Sequence, residues 1–230
     1  LRSFVETSMK KFDVPGAGRM AVLADPAGAA FCVWQAGEHR GATVVNEPGS
    51  LNFNNLHTRD VDGAASFYGA VFGWDLIDIG AGLAWALPGY GDFLEQLRPG
   101  TLENMAQLGA PERFEDVVAS LVPIGDADGD TAAHWSVTFG VADADATAAR
   151  AAKLGGSVVA PPADAPWVRM AVIADPAGAT QARLAVPPPH SDIPQQARWT
   201  PANLPESTVL EEHAQSGQWR TDAPAAVTGR

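Results

Sequence analysis

The chain has 230 residues, a formal net charge of −12 at pH 7 and 46% hydrophobic residues, which is enough apolar material for one or two domains. The acidic balance argues against nucleic acid and membrane surfaces as partners. No apolar stretch reaches the ~18 residues of a membrane span, and the single cysteine, Cys32, excludes an internal disulfide. We therefore expect a soluble, cytoplasmic protein.

An internal repeat is the strongest pattern in the sequence. Residues 19–29 recur as residues 169–179 with one conservative difference, Leu23 against Ile173. Each copy is a short apolar run followed by Asp-Pro-Ala-Gly, in which proline fixes φ and glycine suits the end of a turn. Each copy is predicted to be a β-hairpin, and the long period indicates a duplicated module.

The first hairpin is followed by a polar connection at residues 37–50, which indicates a domain boundary. Residues 60–72 are predicted to form a helix, because apolar side chains recur at spacings of three and four, Asp60 is a suitable N-cap and Gly73 ends the pattern. Short strands surround this helix, and an insertion with a short helix interrupts the strands. The strands are predicted at residues 51–58, from Trp74, at 83–87 and at 116–122, with the insertion at 88–114 and its helix near 102–108.

The same order then restarts. Residues 134–141 are predicted as a strand and residues 143–154 as an alanine-rich helix capped by Asp143. A strand at residues 157–160, a loop at 161–166 and the second hairpin complete the unit. The order β-α-β-β-β therefore occurs twice between residues 51 and 186, and the proline-rich residues 187–230 are predicted to be disordered.

This layout resembles the vicinal oxygen chelate superfamily, which includes glyoxalases, bleomycin-resistance proteins and extradiol dioxygenases. Residues 52–74, with their Phe-Tyr and Phe-Gly-Trp helix end, residues 134–156 and the two Asp-Pro-x-Gly hairpins carry the resemblance. The layout is most similar to a two-domain glyoxalase-like branch. The resemblance implies an α+β fold in which paired βαβββ modules form an open barrel containing a cleft.

The resemblance also implies a domain organisation. Residues 50–186 would be a complete two-module domain, residues 1–40 the C-terminal remnant of a preceding module, and residues 187–230 a tail, so that the chain is expected to be truncated at its N-terminus. The orphan hairpin should then be frayed or pair with another chain. The sequences of the two hairpin copies differ after Ala179. This difference suggests a reading-frame change near codon 180, in which case the chain would be a damaged gene product without activity of its own.

Metal-using members of the superfamily carry histidine or glutamine early in each first strand and glutamate late in each last strand. The matching positions here are Phe53, Ser136, Ala182 and Cys32, which are not the usual ligand set. We therefore expect no cofactor, with a divalent metal left open.

Candidate site residues follow from strand alternation. Phe53, Asn55 and His57 share one side of their strand, as His134 and Ser136 share one side of theirs. His57 and His134 are the candidate catalytic residues, because imidazole binds metals and transfers protons near neutral pH. The competing interpretation is that both histidines bond only to solvent or backbone.

Further residues could contact a ligand. Phe53, Asn55, Ser136, Trp85 and Trp135 are the candidate ligand-binding residues. Trp167 could join the tryptophans in an apolar pocket, although core packing is the competing interpretation for each indole. Asp92, Glu95 and Arg98 in the insertion could cover a ligand or face solvent.

Two functions follow from these residues. The first is metal-free binding of a small organic molecule in an apolar cleft. The alternative is a metal-dependent lyase, isomerase or oxygenase of the same superfamily. A homodimer is a further expectation, because such modules commonly pair to close their barrel.

Overall fold

A computed structural model describes residues 10–42, 44, 47–107, 109–165, 168–178 and 180–186, with backbone alone for Lys10 and residues 180–186. The described residues form a three-stranded sheet, an eight-stranded sheet and four α-helices. The strands are β1 (Lys10–Val14), β2 (Gly18–Ala24), β3 (Ala30–Ala36), β4 (Leu51–Thr58), β5 (Asp75–Asp78), β6 (Leu83–Ala86), β7 (Val117–Pro123), β8 (His134–Gly140), β9 (Ser157–Ala165), β10 (Val168–Ala174) and β11 (Thr180–Val186). The helices are α1 (Val61–Phe72), α2 (Tyr90–Leu97), α3 (Thr101–Gln107) and α4 (Ala144–Lys153).

The eight-stranded sheet is two βαβββ modules joined side by side, in the order β5-β6-β7-β4-β8-β11-β10-β9. The two first strands, β4 and β8, pair antiparallel at the centre, and each pairs in parallel with the last strand of its own module. The predicted α+β class is confirmed. The strands do not close into a barrel, since β5 and β9 lie at opposite edges of the sheet.

The predicted helix ends are confirmed. The Asp60 carboxylate accepts a hydrogen bond from the Gly63 N–H at 2.8 Å, and Gly73 adopts the left-handed conformation that ends α1 (φ 71°). In the second module the Asp143 carboxylate accepts from the Ala146 N–H at 2.9 Å and caps α4 in the same way.

Two parts of the chain differ from their prediction. The insertion between β6 and β7 contains α2 as well as α3. β9 continues from Ser157 to Ala165 through the stretch predicted as a loop. Its prolines, Pro161 and Pro162, lack a donor, and an edge strand tolerates this because one side of its ladder is open. The predicted tail and Trp167 lie outside the described residues. No helix of the described residues is long and apolar enough to span a membrane.

The two repeat copies fold alike at their turns. The Ala27 and Ala177 N–H groups donate to the carboxylates of Asp25 and Asp175, at 3.0 and 2.9 Å. The glycine that follows, Gly28 or Gly178, has positive φ in both. The identical sequence therefore specifies an identical turn.

The copies differ in register beyond the turn. Pairing of β2 with β3 is continuous, but pairing of β10 with β11 slips by one residue between Ile173 and Ala174. Ile173, which packs against the cluster formed by Ala148 and Ala171, therefore lies opposite Ala182. The unshifted register would place Gln181 there. A one-residue slip exchanges the two faces of a strand, so the bulge sets Ala182 and not Gln181 at the register position opposite Ile173.

The first hairpin is docked, contrary to the expectation that it is frayed. Ala29 is fully buried and Phe31 packs against the aromatic side chains of α1. The Tyr68 hydroxyl donates to Asp25 Oδ2 at 3.1 Å and accepts from the Trp135 Nε1–H at 2.9 Å. Asp25 is 2% exposed and accepts a further bond from the Ala29 N–H. Tyr68 thus joins the hairpin, α1 and β8.

Replacing Tyr68 with phenylalanine should lower the free energy of unfolding by about 1–3 kcal/mol, because the buried Asp25 carboxylate and the half-buried Trp135 N–H each lose a partner. Urea denaturation measures this change. The matched control is Tyr90→Phe, at the other of the two tyrosines, which should lower the free energy of unfolding by less than Tyr68→Phe does. Equal losses in the two variants would contradict the role of the Tyr68 hydroxyl.

Both tyrosines should resist ionisation, since burial raises the pKa of Tyr68 and of Tyr90. A raised folded-state pKa contributes stability that is complete below the unfolded value of ~10 and is lost as the pH rises above it. In a titration followed by tyrosinate absorbance, the native protein should ionise at higher pH than the urea-unfolded chain. If half of the tyrosinate absorbance of the native protein appeared near pH ~10, one of the two tyrosines would ionise as in the unfolded chain, which would refute the raised pKa of that tyrosine.

Candidate functional site

A group of polar side chains occupies the face of the eight-stranded sheet that lies opposite α1. Leu56 of β4 packs into the core beneath α1, so its neighbours Asn55 and His57 face the other way. The register sets Asn55 between Ser120 and Ser136 and sets His57 opposite a second histidine. We call this group the β4–β8 polar cluster; it consists of Asn55, His57, Ser120, His134, Ser136 and Thr138.

Asn55 cross-links three strands at the centre of the cluster. Its Nδ2 donates to Thr138 Oγ1 at 3.0 Å and lies 3.4 Å from Ser136 Oγ, while its Oδ1 accepts from the Ser120 hydroxyl at 2.6 Å. Asn55 is 3% exposed, and Ser136 and Thr138 are buried with it. These bonds occupy both ends of the amide, so Asn55 fixes the cluster in place.

The two candidate histidines lie side by side. The His57 and His134 rings are stacked, with centroids 4.5 Å apart and planes 5° from parallel. His57 Nε2 is 2.9 Å from Ser136 Oγ, and His134 Nδ1 is 2.9 Å from the Ala132 carbonyl oxygen. A carbonyl can only accept, so His134 Nδ1 carries the proton and Nε2 is the basic nitrogen of the neutral ring. Both rings are half-buried and within reach of a ligand.

Strand alternation in the sequence predicted that Asn55 and His57 share one face of β4 and that His134 and Ser136 share one face of β8. It gave no indication that Ser120 joins them. Phe53 lies two residues before Asn55 on the same strand, opposite Thr138, and is half-buried. Ser120 belongs to β7, and its place beside Asn55 depends on the register between strands that are 65 residues apart in sequence. The local pattern of β7 carries no signal for that register.

Trp85 and Trp135 lie in the hydrophobic core, away from the histidines. Trp85 is fully buried with its ring centroid 5.4 Å from that of Tyr68, and Trp135 donates to the Tyr68 hydroxyl. Trp135 stands between His134 and Ser136 on β8, so alternation turns it to the opposite face. The structure therefore does not place these indoles beside the polar cluster.

In the insertion, Glu95 organises the backbone. Its carboxylate accepts from the N–H groups of Gly100 and Leu102, at 2.7 and 3.0 Å, where α3 begins. The bond from Gly100 is the main cause of the lowered pKa of Glu95. Glu95 thus closes the connection between α2 and α3.

The donors present do not fit the metal that the superfamily commonly uses. Among the residues that the structure describes, no group of three or more His, Cys, Asp or Glu side chains could hold an ion. The resemblance places the first-strand ligands at Phe53 and Ser136, neither of which is a usual metal ligand, and Cys32 is exposed on the three-stranded sheet. The paired histidines bring two nitrogen donors and no carboxylate.

Comparison with known families identifies the chain. The model of the Glyoxalase/Bleomycin resistance protein/Dioxygenase superfamily matches residues 50–181, more than half of the chain. The chain therefore belongs to this superfamily, and the resemblance seen in the sequence is confirmed.

Two curated relatives match at similar levels. The protein named "Putative glyoxylase CFP32" from Mycobacterium tuberculosis is 41% identical over 177 residues, covering 76% of this chain and 58% of that protein. Anthracycline biosynthesis protein DnrV from Streptomyces peucetius is 40% identical over 174 residues, covering 76% of this chain and 55% of that protein. The chain spans just over half the length of these relatives.

Among solved structures, methylmalonyl-CoA epimerase from Streptomyces coelicolor is similar at 16% identity with a TM-score of 0.38. The match covers 62% of this chain and 97% of the epimerase.

Replacing Asn55 with alanine should lower the free energy of unfolding by about 1–3 kcal/mol, because the half-buried hydroxyl of Ser120 and the buried hydroxyl of Thr138 lose their partner. Asn54→Ala, at the exposed neighbour on the same strand, is the control and should change stability by less than ~0.5 kcal/mol. Thermal and urea unfolding of both variants measure the difference. A loss at Asn54 as large as that at Asn55 would contradict the cross-linking role.

Proposed function

We propose that this chain binds a small organic molecule at the β4–β8 polar cluster, without a metal. The stacked pair of His57 and His134 carries the proposal, because it presents two half-buried imidazoles next to the buried hydroxyl groups of the cluster. Phe53 adds an apolar ring on the same strand face. Placing two aromatic nitrogen heterocycles beside buried hydroxyls suits a ligand that has both a flat apolar part and oxygen acceptors or donors.

The buried neighbours support binding by holding the histidines still. Ser136 bonds His57, and Asn55 in turn lies within reach of Ser136, so the imidazole has a fixed orientation before any ligand arrives. Preorganisation of this kind lowers the entropy cost of binding. The relatives named for glyoxylase and anthracycline biosynthesis suggest carbonyl- and hydroxyl-bearing molecules as the class to test.

A second candidate is an enzyme of the lyase, isomerase or oxygenase type, and the hydrogen bond of His134 favours it. That bond leaves Nε2 of the neutral ring as a base, and a positioned histidine is the commonest proton-transfer group in enzymes. Such an enzyme would move a proton between the substrate and the histidine pair. Because the described donors do not fit a metal, we assign no step to one.

Fluorescence quenching of an anthracycline tests the binding proposal. Wild-type chain should bind daunomycin saturably, and His57→Ala and His134→Ala should each weaken binding roughly tenfold, which is the effect of losing ~1.4 kcal/mol of contact. His39→Ala is the matched control, since His39 is exposed and follows β3 on the other sheet, and it should bind as the wild type does. Unchanged affinity in both cluster variants would refute the proposal.

Elemental analysis tests the binding proposal against a metal-dependent enzyme. We expect the purified chain to hold no stoichiometric zinc, iron, manganese or nickel, before or after metal loading. Near-stoichiometric metal that is lost in His57→Ala and His134→Ala would instead favour the enzyme. Conversion of the hemithioacetal of methylglyoxal and glutathione by the metal-loaded protein would then establish activity.

We further propose that the chain forms a homodimer, because its eight-stranded sheet is open at β5 and β9 and modules of this kind commonly pair to close their barrel. Light scattering after size-exclusion chromatography measures the mass directly.

A further inference from the structure

The connection between β7 and β8, residues 124–133, lies at the histidine end of the β4–β8 polar cluster, and we call it the β7–β8 loop. β7 and β8 are the two neighbours of β4 in the sheet, the first parallel to it and the second antiparallel. The end of β7, the end of β4 and the start of β8 therefore lie at the same edge of the sheet. The loop passes the end of β4, where the Ile124 N–H donates to the Thr58 carbonyl oxygen at 2.9 Å.

Burial of side chains does not fix the course of this loop, because residues 125–132 are all exposed. Hydrogen bonds within the loop fix part of it. The Gly125 N–H donates to Asp128 Oδ2 at 2.7 Å, and the Thr131 hydroxyl donates to the Asp128 carbonyl oxygen at 2.6 Å. Asp128 therefore bonds to both sides of the loop and gives it a defined shape.

Arg59, the residue after β4, ties the loop to the sheet. Its Nη1 donates to the Gly125 carbonyl oxygen at 3.0 Å, and its Nη2 donates to the Gly129 carbonyl oxygen. A planar guanidinium can span two acceptors in this way, whereas the single ammonium of lysine is a point charge. Arg59 and Gly125 are 66 residues apart in sequence, so the local pattern around Arg59 gives no sign of this contact.

The loop ends beside the ring of His134. The Ala132 carbonyl oxygen is 2.9 Å from His134 Nδ1 and accepts its proton, and the direction of that carbonyl depends on the path of the loop. The stacked ring of His57 holds the plane of the imidazole. With the proton on Nδ1, the Nε2 atom carries a lone pair and can only accept a hydrogen bond from a ligand.

We propose that Arg59 is a positioning residue that sets which hydrogen bond the candidate site offers to a ligand. By tying the β7–β8 loop across the end of β4, Arg59 holds the Ala132 carbonyl against His134 and keeps the imidazole in its Nδ1–H tautomer. The site then selects a ligand group that donates a hydrogen bond, such as a hydroxyl, to Nε2. Selection of the ligand rests on the proposed function, whereas the effect of Arg59 on the tautomer does not.

NMR of the ring nitrogens measures the tautomer without a ligand. In the ¹⁵N-labelled chain at pH ~8, where neutral imidazole is observed, two-bond correlations between ring protons and nitrogens distinguish the Nδ1–H form from the Nε2–H form. The chain has five histidines, and the signals of His134 are those missing from His134→Gln. We expect the Nδ1–H form in the wild type and a mixture of both tautomers in Arg59→Ala and Arg59→Lys.

Arg19→Ala is the matched control and should leave the tautomer unchanged, because it removes an exposed arginine that is bonded to Asp13 on the other sheet. Both arginines are exposed, so we expect every variant to unfold cooperatively on heating. An unchanged Nδ1–H tautomer in Arg59→Ala would overturn the proposal. Wild-type behaviour of Arg59→Lys would assign the effect to charge alone and would also overturn it.

Two naphthalenes that differ in one group test the selection of the ligand. 2-Naphthol can donate a hydrogen bond, and 2-methoxynaphthalene cannot. In equilibrium dialysis the wild type should bind 2-naphthol about tenfold more tightly than the ether, which is the effect of one hydrogen bond. This preference should largely disappear in Arg59→Ala and in His134→Ala, and it should remain in Arg19→Ala.

Equal affinity of the wild type for the two naphthalenes, or tighter binding of the ether, would overturn the selection of a donor group. Binding of neither naphthalene, together with saturable binding of daunomycin, would overturn it as well. If daunomycin also failed to bind, the proposed function itself would be refuted, and the tautomer measurement would still decide the role of Arg59.

Discussion

The buried hydroxyl of Tyr68 is the contact on which the arrangement of the described chain depends. It joins a carboxylate from the first hairpin to an indole from β8; Tyr68 and Asp25 are buried and Trp135 is half-buried. Separating any one of them would leave a buried polar atom without a partner, which costs more than a surface hydrogen bond is worth. The hairpin, α1 and β8 are therefore stable together as one assembly.

The same strand connects this core to the candidate site. On β8, Trp135 faces Tyr68 while His134 and Ser136 face the opposite side of the sheet. The polar cluster thus sits at the seam between two modules, where β4 and β8 meet and neither module alone supplies all the groups. The aromatic core packs against Trp135 on the other face of the sheet and so supports the strand that carries His134.

Much of this could be predicted from the sequence, because the signals are local. The repeat, the aspartate caps and the period of α1 each depend on neighbouring residues, and alternation set His57 and His134 on definable strand faces. Alternation would also have turned Trp135 away from those histidines. The contact of Asp25 with Tyr68 and the position of Ser120 could not be predicted, because they depend on packing and register between segments 43 and 65 residues apart.

The slipped register of β11 shows that the strands on either side of it determine its path in the sheet. β8 and β10 fix the spacing and direction of the strand between them, and the backbone ladder makes no demand on side-chain identity. A strand whose pattern is offset by one residue can then be accommodated through a β-bulge. The strand after the second turn therefore keeps its place between β8 and β10, although its sequence differs from that after the first turn.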